Sequence, residues 1–277
     1  MNKTKWQKLV DFWNSWTGTI IFVLFFIFFI AQAFSIPSGS MRVTLLEGDK
    51  LFVKKFSYGI PTPHIPFLEI PVLPDFSGDG HLLSYAKPER GDIVVFRYPL
   101  NPNLHFVKRC FAKGSDEVIF HNETMYLRLH EGDEYMKEHF ANKLVTLQGK
   151  LYIKEPYDFK GIHYDQDKSV QERYQSSLNR LKMQLVYVEE LDQNYPAFYF
   201  KVPADEYYMI GDNRNNSEDS RYWGSVPYKY IEGSPWFVYL SWDDDYNIRW
   251  ERMFKSVNEL QNNEKYIHLP KNAKTVN

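Results

Sequence analysis

Two serines, Ser38 and Ser40, sit in the stretch Phe34-Ser35-Ile36-Pro37-Ser38-Gly39-Ser40-Met41, directly after a long uncharged apolar run. Pro37 lacks a backbone donor and Gly39 favours turns, so no helix continues through this stretch. A serine hydroxyl is a weak nucleophile and needs a neighbouring base. Two other places hold groups of the right kind. In the strand expected over Leu104–Ala112, alternation puts Lys108 on one face with Phe106 and Cys110, a setting a lysine seldom takes. Burial there would disfavour the ammonium form. A strand lysine facing water is the plainer alternative, and by its own residues the strand favours it. The second place is the loop Gly211–Gly224, which carries Asp212, Arg214, Ser217, Asp219 and Arg221 after a strand Tyr207–Ile210. A surface loop whose Asp and Asn side chains satisfy local backbone is its alternative. His105 keeps a Ser-His-Asp arrangement open.

The elements that must position these groups begin with the apolar run. Residues 12–41 carry no charged side chain, and Ile20–Ala31 is nearly all Ile, Phe, Val and Leu. At ~1.5 Å per helical residue such a run crosses a hydrocarbon core of roughly 30 Å. With Lys3, Lys5 and Lys8 before it and Trp6, Trp13 and Trp16 as an aromatic belt, it predicts a retained transmembrane anchor over 12–35, with 1–11 in the cytoplasm. Ala31-Gln32-Ala33 keeps a cleavable signal peptide as the alternative.

The rest predicts a mainly β protein: a main β domain over 36–114 and 202–258, interrupted by a β-rich insertion at 115–201, and a polar tail at 259–277. Strands are expected at Lys50–Phe56, Ile93–Tyr98 and Trp236–Trp242, a turn at Asn101–Asn103, and an amphipathic helix at Ser169–Leu185. Five prolines between Tyr58 and Phe76 forbid a helix or central strand. The apolar residues between them either pack on the protein's own body or form a lip beside the anchor. His121, His130, His139 and His163 lack ligand spacing and are expected in solvent, as are Asp243-Asp244-Asp245. The tail beyond Asn258 is expected to fray. A net charge of −2 excludes a general attraction to nucleic acid, and the single Cys110 excludes an intrachain disulfide or a cysteine zinc site.

Four stretches, in order, resemble the type I signal peptidases of bacteria: Ile36-Pro-Ser-Gly-Ser-Met41 with Thr44-Leu45, Arg90-Gly-Asp-Ile-Val-Val-Phe96, Phe106-Val-Lys-Arg109, and Gly211-Asp-Asn-Arg214 through Trp223-Gly224. The resemblance implies Ser40 as nucleophile and Lys108 as general base. It implies an oxyanion hole from the Ser38 hydroxyl and the Ser40 N–H. Ser217 would orient the Lys108 amine, Asp219 and Arg221 would brace the loop, and Arg109 matches the basic residue after the lysine. Phe34, Ile36, Met41, Leu45, Leu51, Val95, Phe106 and Val107 match the wall of a shallow pocket for small side chains at −1 and −3. The implied activity is removal of signal peptides from exported preproteins after A-x-A, at the outer face of the cytoplasmic membrane. The implied partners are the signal peptides, the lipid bilayer and the export translocon, with no nucleic acid, metal or cofactor. Val43 stands where the family commonly has proline, and Asn215 where it commonly has aspartate. A neutral lysine is required for this chemistry, so Lys108 is expected dry and without a carboxylate partner.

Overall fold

The computed structural model describes residues 4–65, 69–270 and 273–275. It is mainly β, in antiparallel sheets.

The N-terminus forms two helices rather than one span. Lys5–Trp13 (α1) is capped by Thr4, and Trp16–Phe25 (α2) by Ser15, whose extended backbone breaks the helix between them. The two axes are bent by 70°. Gly18 permits the bend: a Cβ there would lie 2.1 Å from the Phe12 carbonyl oxygen. After α2 the chain widens into a π-helical turn over Phe26–Ile30 and then becomes strand at Ala31–Ser35 (β1). Among the described residues no single helix is long and apolar enough to cross a membrane, whereas the bent pair passes on length and composition. The straight helix expected over 12–35 therefore ends at Ile30. Phe, Ile and Ala suit a buried strand as well as a helix, and pairing with Asp49–Lys54 (β2) decides for strand.

The larger sheet has eight strands. Besides β1 and β2 it takes Ile93–Tyr98 (β3) and Asn101–Lys113 (β4), joined by a tight turn at Pro99-Leu100, so the turn expected at Asn101–Asn103 is strand. The smaller sheet has six strands: Glu117–His121 (β5), Thr124–Arg128 (β6), Leu144–Leu147 (β7), Lys150–Lys154 (β8), Gln184–Val186 (β9) and Ala197–Lys201 (β10), ordered β7-β8-β6-β5-β10-β9. The chain then returns to the larger sheet through Glu206–Ile210 (β11), Val226–Pro227 (β12), Ile231–Ser241 (β13) and Lys255–Ser256 (β14). Its order is β1-β2-β13-β3-β4-β11-β12, with β14 on β13. β11 pairs β4 only from Arg109 to Lys113, so among the described residues His105–Lys108 has one free edge. The helices are Asp133–Phe140 (α3), Lys168–Ser177 (α4), the short Ser220–Trp223 (α5) and Val257–Asn262 (α6).

One core packs Ile36, Met41, Leu45, Leu51, Val53, Val95 and Val238 under the loop that carries Ser40, with Leu260 and Tyr266 from the C-terminal segment. A second joins the two sheets through Phe111, Val118, Phe120, Leu127, Ile153 and Tyr208.

Several expectations change here. The helix expected over Ser169–Leu185 stops at Ser177, and Gln184–Val186 is strand. Among the described residues the tail expected to fray is packed: α6 buries Val257 and Leu260, and Lys274–Thr275 pairs with His163–Tyr164. His163 and His121 are buried, each hydrogen-bonded to a carbonyl, because tertiary packing covers them. In the proline-rich segment two residue pairs of short ladder form, and Ile65, Ile70, Val72, Leu73 and Phe76 stay exposed; 66–68 lie outside the described residues.

Candidate active site

Ser40 lies in a single 3-10 turn, Gly39–Met41, at the mouth of a cleft. The loop around it is fixed by its own backbone. The Ile36 N–H donates to the Asp49 carbonyl at 2.9 Å, the Gly48 N–H to the Ile36 carbonyl at 3.0 Å, and the Leu45 N–H to the Met41 carbonyl at 2.8 Å. The loop 211–224 docks against it: the Asn213 N–H donates to the Ser40 carbonyl at 3.1 Å. Gly211 allows that approach, since a Cβ there would fall 2.6 Å from the Ser40 carbonyl oxygen and 2.3 Å from Ser217 Oγ.

Lys108 comes from the free-edged part of β4, and its Nζ donates to Ser40 Oγ at 2.5 Å. Lys108 is 5% exposed, and its amine lies 5.5 Å from the Phe106 ring centre. Burial pushes it down to about 8, against the opposing pull of Asp219 and Asp212 further away. No carboxylate pairs with it among the described residues. Ser38 Oγ is 3.5 Å from Ser40 Oγ at the open rim.

Two buried ion pairs flank the dyad. Arg109 takes both oxygens of Asp212 at 2.7 Å, and Thr44 Oγ1 donates to Asp212 Oδ2 at 2.8 Å. Arg221 takes the two oxygens of Asp219 at 2.8 and 2.9 Å. Burial alone would raise both carboxyls, but the guanidinium beside each holds it below the usual carboxylate range. Asp219 also accepts from the Gly211 N–H at 3.1 Å, tying the loop's two ends together.

The cleft has a volume of about 370 Å³. Of the expected pocket residues, Phe34, Ile36, Leu51, Val95, Phe106 and Val107 line it. Met41 and Leu45 do not; they are fully buried in the core beneath it. The expected bond from Ser217 to Lys108 does not form. Ser217 Oγ is buried against Gly211 and has no hydrogen bond of good geometry among the described residues, though it lies close enough to Asp219 to help lower that carboxyl. His105 lines the cleft wall, with its ring 5.0 Å from that of Phe34 and its Nε2 3.9 Å from Glu69; among the described residues it makes no bond to Ser40.

Reasoning from the sequence missed the Arg109–Asp212 pair, Asp49 as anchor of the loop after Ser40, and Asn216 and Glu218 on the cleft rim. The pair was visible as two residue types but not as partners, being 103 residues apart.

A β-rich chain with a serine, a dry lysine and an elongated cleft fits the class of peptidases, and the comparisons agree. Residues 9–242 match the family model described as signal peptidase, peptidase S26. Signal peptidase I of Helicobacter pylori J99 is 48% identical over 92% of this chain and 95% of its own. The Pseudomonas aeruginosa signal peptidase I is 35% identical over 85% and 74%, and that of Aquifex aeolicus 33% over 80% of each. The chain belongs to the signal peptidase S26 family.

Proposed function

We propose that this chain is a serine endopeptidase of the signal peptidase I type that removes N-terminal signal peptides from preproteins, with Ser40 and Lys108 as its reacting pair. The observation that carries this is the 2.5 Å contact between Ser40 Oγ and an amine lowered by burial to about 8. Near that pH a useful fraction of Lys108 is neutral and accepts the Ser40 proton as Oγ attacks the scissile carbonyl carbon. The oxyanion that forms is met by the Ser38 hydroxyl and the Ser40 N–H. Lys108 then gives its proton to the leaving amine, which departs as the new N-terminus and leaves the signal peptide esterified to Ser40. A water, deprotonated by Lys108, hydrolyses the ester and frees Ser40. Asp219 and Arg221 hold the loop behind the pair, and Ser217 fills the space between that loop and Ser40.

Substrate binding follows from two strand edges on the cleft, at Phe34 and Ser35 of β1 and at His105–Val107 of β4. An extended peptide between them gains main-chain bonds whatever its sequence. Phe34, Ile36, Leu51, Val95, Phe106 and Val107 leave room for Ala, Ser or Gly and exclude large side chains by volume. The N-terminal helices supply the membrane anchor: α2 exposes Ile20, Ile21, Phe22, Val23, Leu24 and Phe25 around its circumference, which water does not favour. α2 and its π turn reach roughly 22 Å, short of the ~30 Å hydrocarbon core, so α1 joins the anchor as a bent or interfacial piece. β1 belongs to the catalytic sheet, which favours a retained anchor over a cleaved one. Cleavage would then occur at the outer face of the cytoplasmic membrane, on preproteins leaving the export translocon.

The test is processing of a preprotein with an A-x-A site by the full chain in detergent. Ser40→Ala and Lys108→Ala should each abolish cleavage, and the double variant should be no worse, since the two act as one unit. Cleavage surviving either single change would refute the assignment.

A further inference from the structure

The family match ends at residue 242, yet the residues after it reach back to both sides of the Ser40–Lys108 contact. On the serine side, buried Arg252 donates from Nε and Nη2 to the two Asp49 oxygens at 3.2 and 2.7 Å, and from Nη2 to the Thr44 carbonyl at 3.0 Å. Arg249 donates to the Glu47 carbonyl at 2.9 Å. Asp49 in turn accepts the Leu46 N–H at 2.9 Å. These contacts hold the segment that runs from Ser40 into β2. On the lysine side, Gln261 Oε1 accepts from Arg109 Nη1 at 3.1 Å. Arg109 follows Lys108 in β4, and its guanidinium also reaches the Gly91 carbonyl at 2.7 Å and stacks 3.9 Å from the Phe159 ring centre.

We propose that the C-terminal segment 243–266 is a clamp that sets the Ser40–Lys108 separation, with Arg252 the positioning residue on the serine side and Gln261 on the lysine side. This rests on the reading of Ser40 and Lys108 as the reacting pair. Neither Arg252 nor Gln261 lines the cleft, so each acts through a neighbour. The need for a clamp is physical. Residues 42–48, after the Gly39–Met41 turn, belong to no strand or helix, and β4 at Lys108 is unpaired on one edge. Proton transfer requires heavy atoms within about 2.6–3.2 Å, and small misplacements cost rate steeply. Leu260 and Tyr266 seat the clamp in the same core as Met41 and Leu45, so packing and positioning come from one segment.

The test uses the full chain in detergent with a reporter peptide carrying an A-x-A site, comparing Gln261→Ala, Gln261→Glu, Arg252→Lys and Ser40→Ala. Loss of a hydrogen bond to a buried cation predicts about a fivefold lower kcat for Gln261→Ala, with KM unchanged. The acid limb of its pH–rate profile should move to higher pH as water gains access to the amine. Gln261→Glu keeps an acceptor for Arg109 and should retain most of the rate. Arg252→Lys should lose more, because an ammonium cannot span the Asp49 carboxylate and the Thr44 carbonyl together. Parental kcat and pH profile in Gln261→Ala and Arg252→Lys, with Ser40→Ala inactive, would overturn the clamp and leave the reacting pair standing. A rate loss in Gln261→Ala that follows its melting temperature and is not restored by glutamate would also overturn it. An active Ser40→Ala would sink both readings. If Arg252→Lys fails to fold, the Gln261 variants decide alone.

Discussion

Two regions of this chain invert the usual rule in opposite directions. In α2 large apolar side chains point outward, Trp16 at 86% and Phe22 at 56% exposed, while on and against the loop 211–224 the charged side chains of Lys108, Arg109, Asp212, Arg214, Asp219 and Arg221 point inward. Outward Phe and Ile call for an apolar medium outside; inward charges call for partners inside. Arg109 with Asp212 and Arg221 with Asp219 meet that demand as closed pairs. Lys108 is the exception, buried beside them with, among the described residues, the Ser40 hydroxyl as its hydrogen-bond partner and no carboxylate. A buried charge with a partner stays charged, and one without sheds its proton. The loop therefore forms a rigid frame beside a dry amine that strand β4 supplies.

The largest way to break that contrast is to strip a partner from a closed pair. Asp219→Ala leaves the Arg221 guanidinium buried without its counter-charge and should cost about 3–5 kcal/mol of stability, read by denaturant unfolding. An effect under about 1 kcal/mol would mean that the pair is not needed as a frame. Ser38→Ala should slow turnover roughly 10²–10³-fold, the usual cost of an oxyanion donor, with an unchanged melting temperature because its hydroxyl is at the rim. Lys108→Met should raise stability near neutral pH while abolishing activity. The sign follows from the lowered value: below about 8 both states hold the proton and the folded state carries the full cost of the buried ammonium. As pH rises from there toward the unfolded value that cost fades, so the advantage of methionine should shrink in alkaline buffer. The smallest effect belongs to the other sheet. Leu185 on β9 is 66% exposed and far from the cleft in topology, and Leu185→Ser should change stability by no more than about 0.5 kcal/mol and leave the rate unchanged.

The pieces of the candidate site were legible in the sequence because each piece is local, although Ser40 and Lys108 meet across 68 residues. Ser38, Ser40 and Met41 lie in one turn, Phe106 and Lys108 alternate on one strand, and Asp219 and Arg221 face each other across a single helical turn. Their frame was not legible, because its partners are distant in the chain: Asp49 with Arg252, Arg109 with Gln261 and Asp212 with Thr44 lie over a hundred residues apart. The end of the apolar helix was misjudged for a related reason. Phe26–Phe34 reads equally as helix or buried strand, and only β2 turns its last residues into a sheet edge. Ser217 shows the limit of a motif: its place in the loop followed, but the direction of its hydroxyl depends on how closely Gly211 packs.

The most direct test of the central claim is the proton affinity of the Lys108 amine in the folded full chain. It can be read as the acid limb of kcat/KM against pH and checked by NMR titration of side-chain-labelled lysine. A midpoint near 8, with rate rising as pH passes through it, is the expected result. An amine still protonated at about pH 10, as in a lysine open to water, would contradict it.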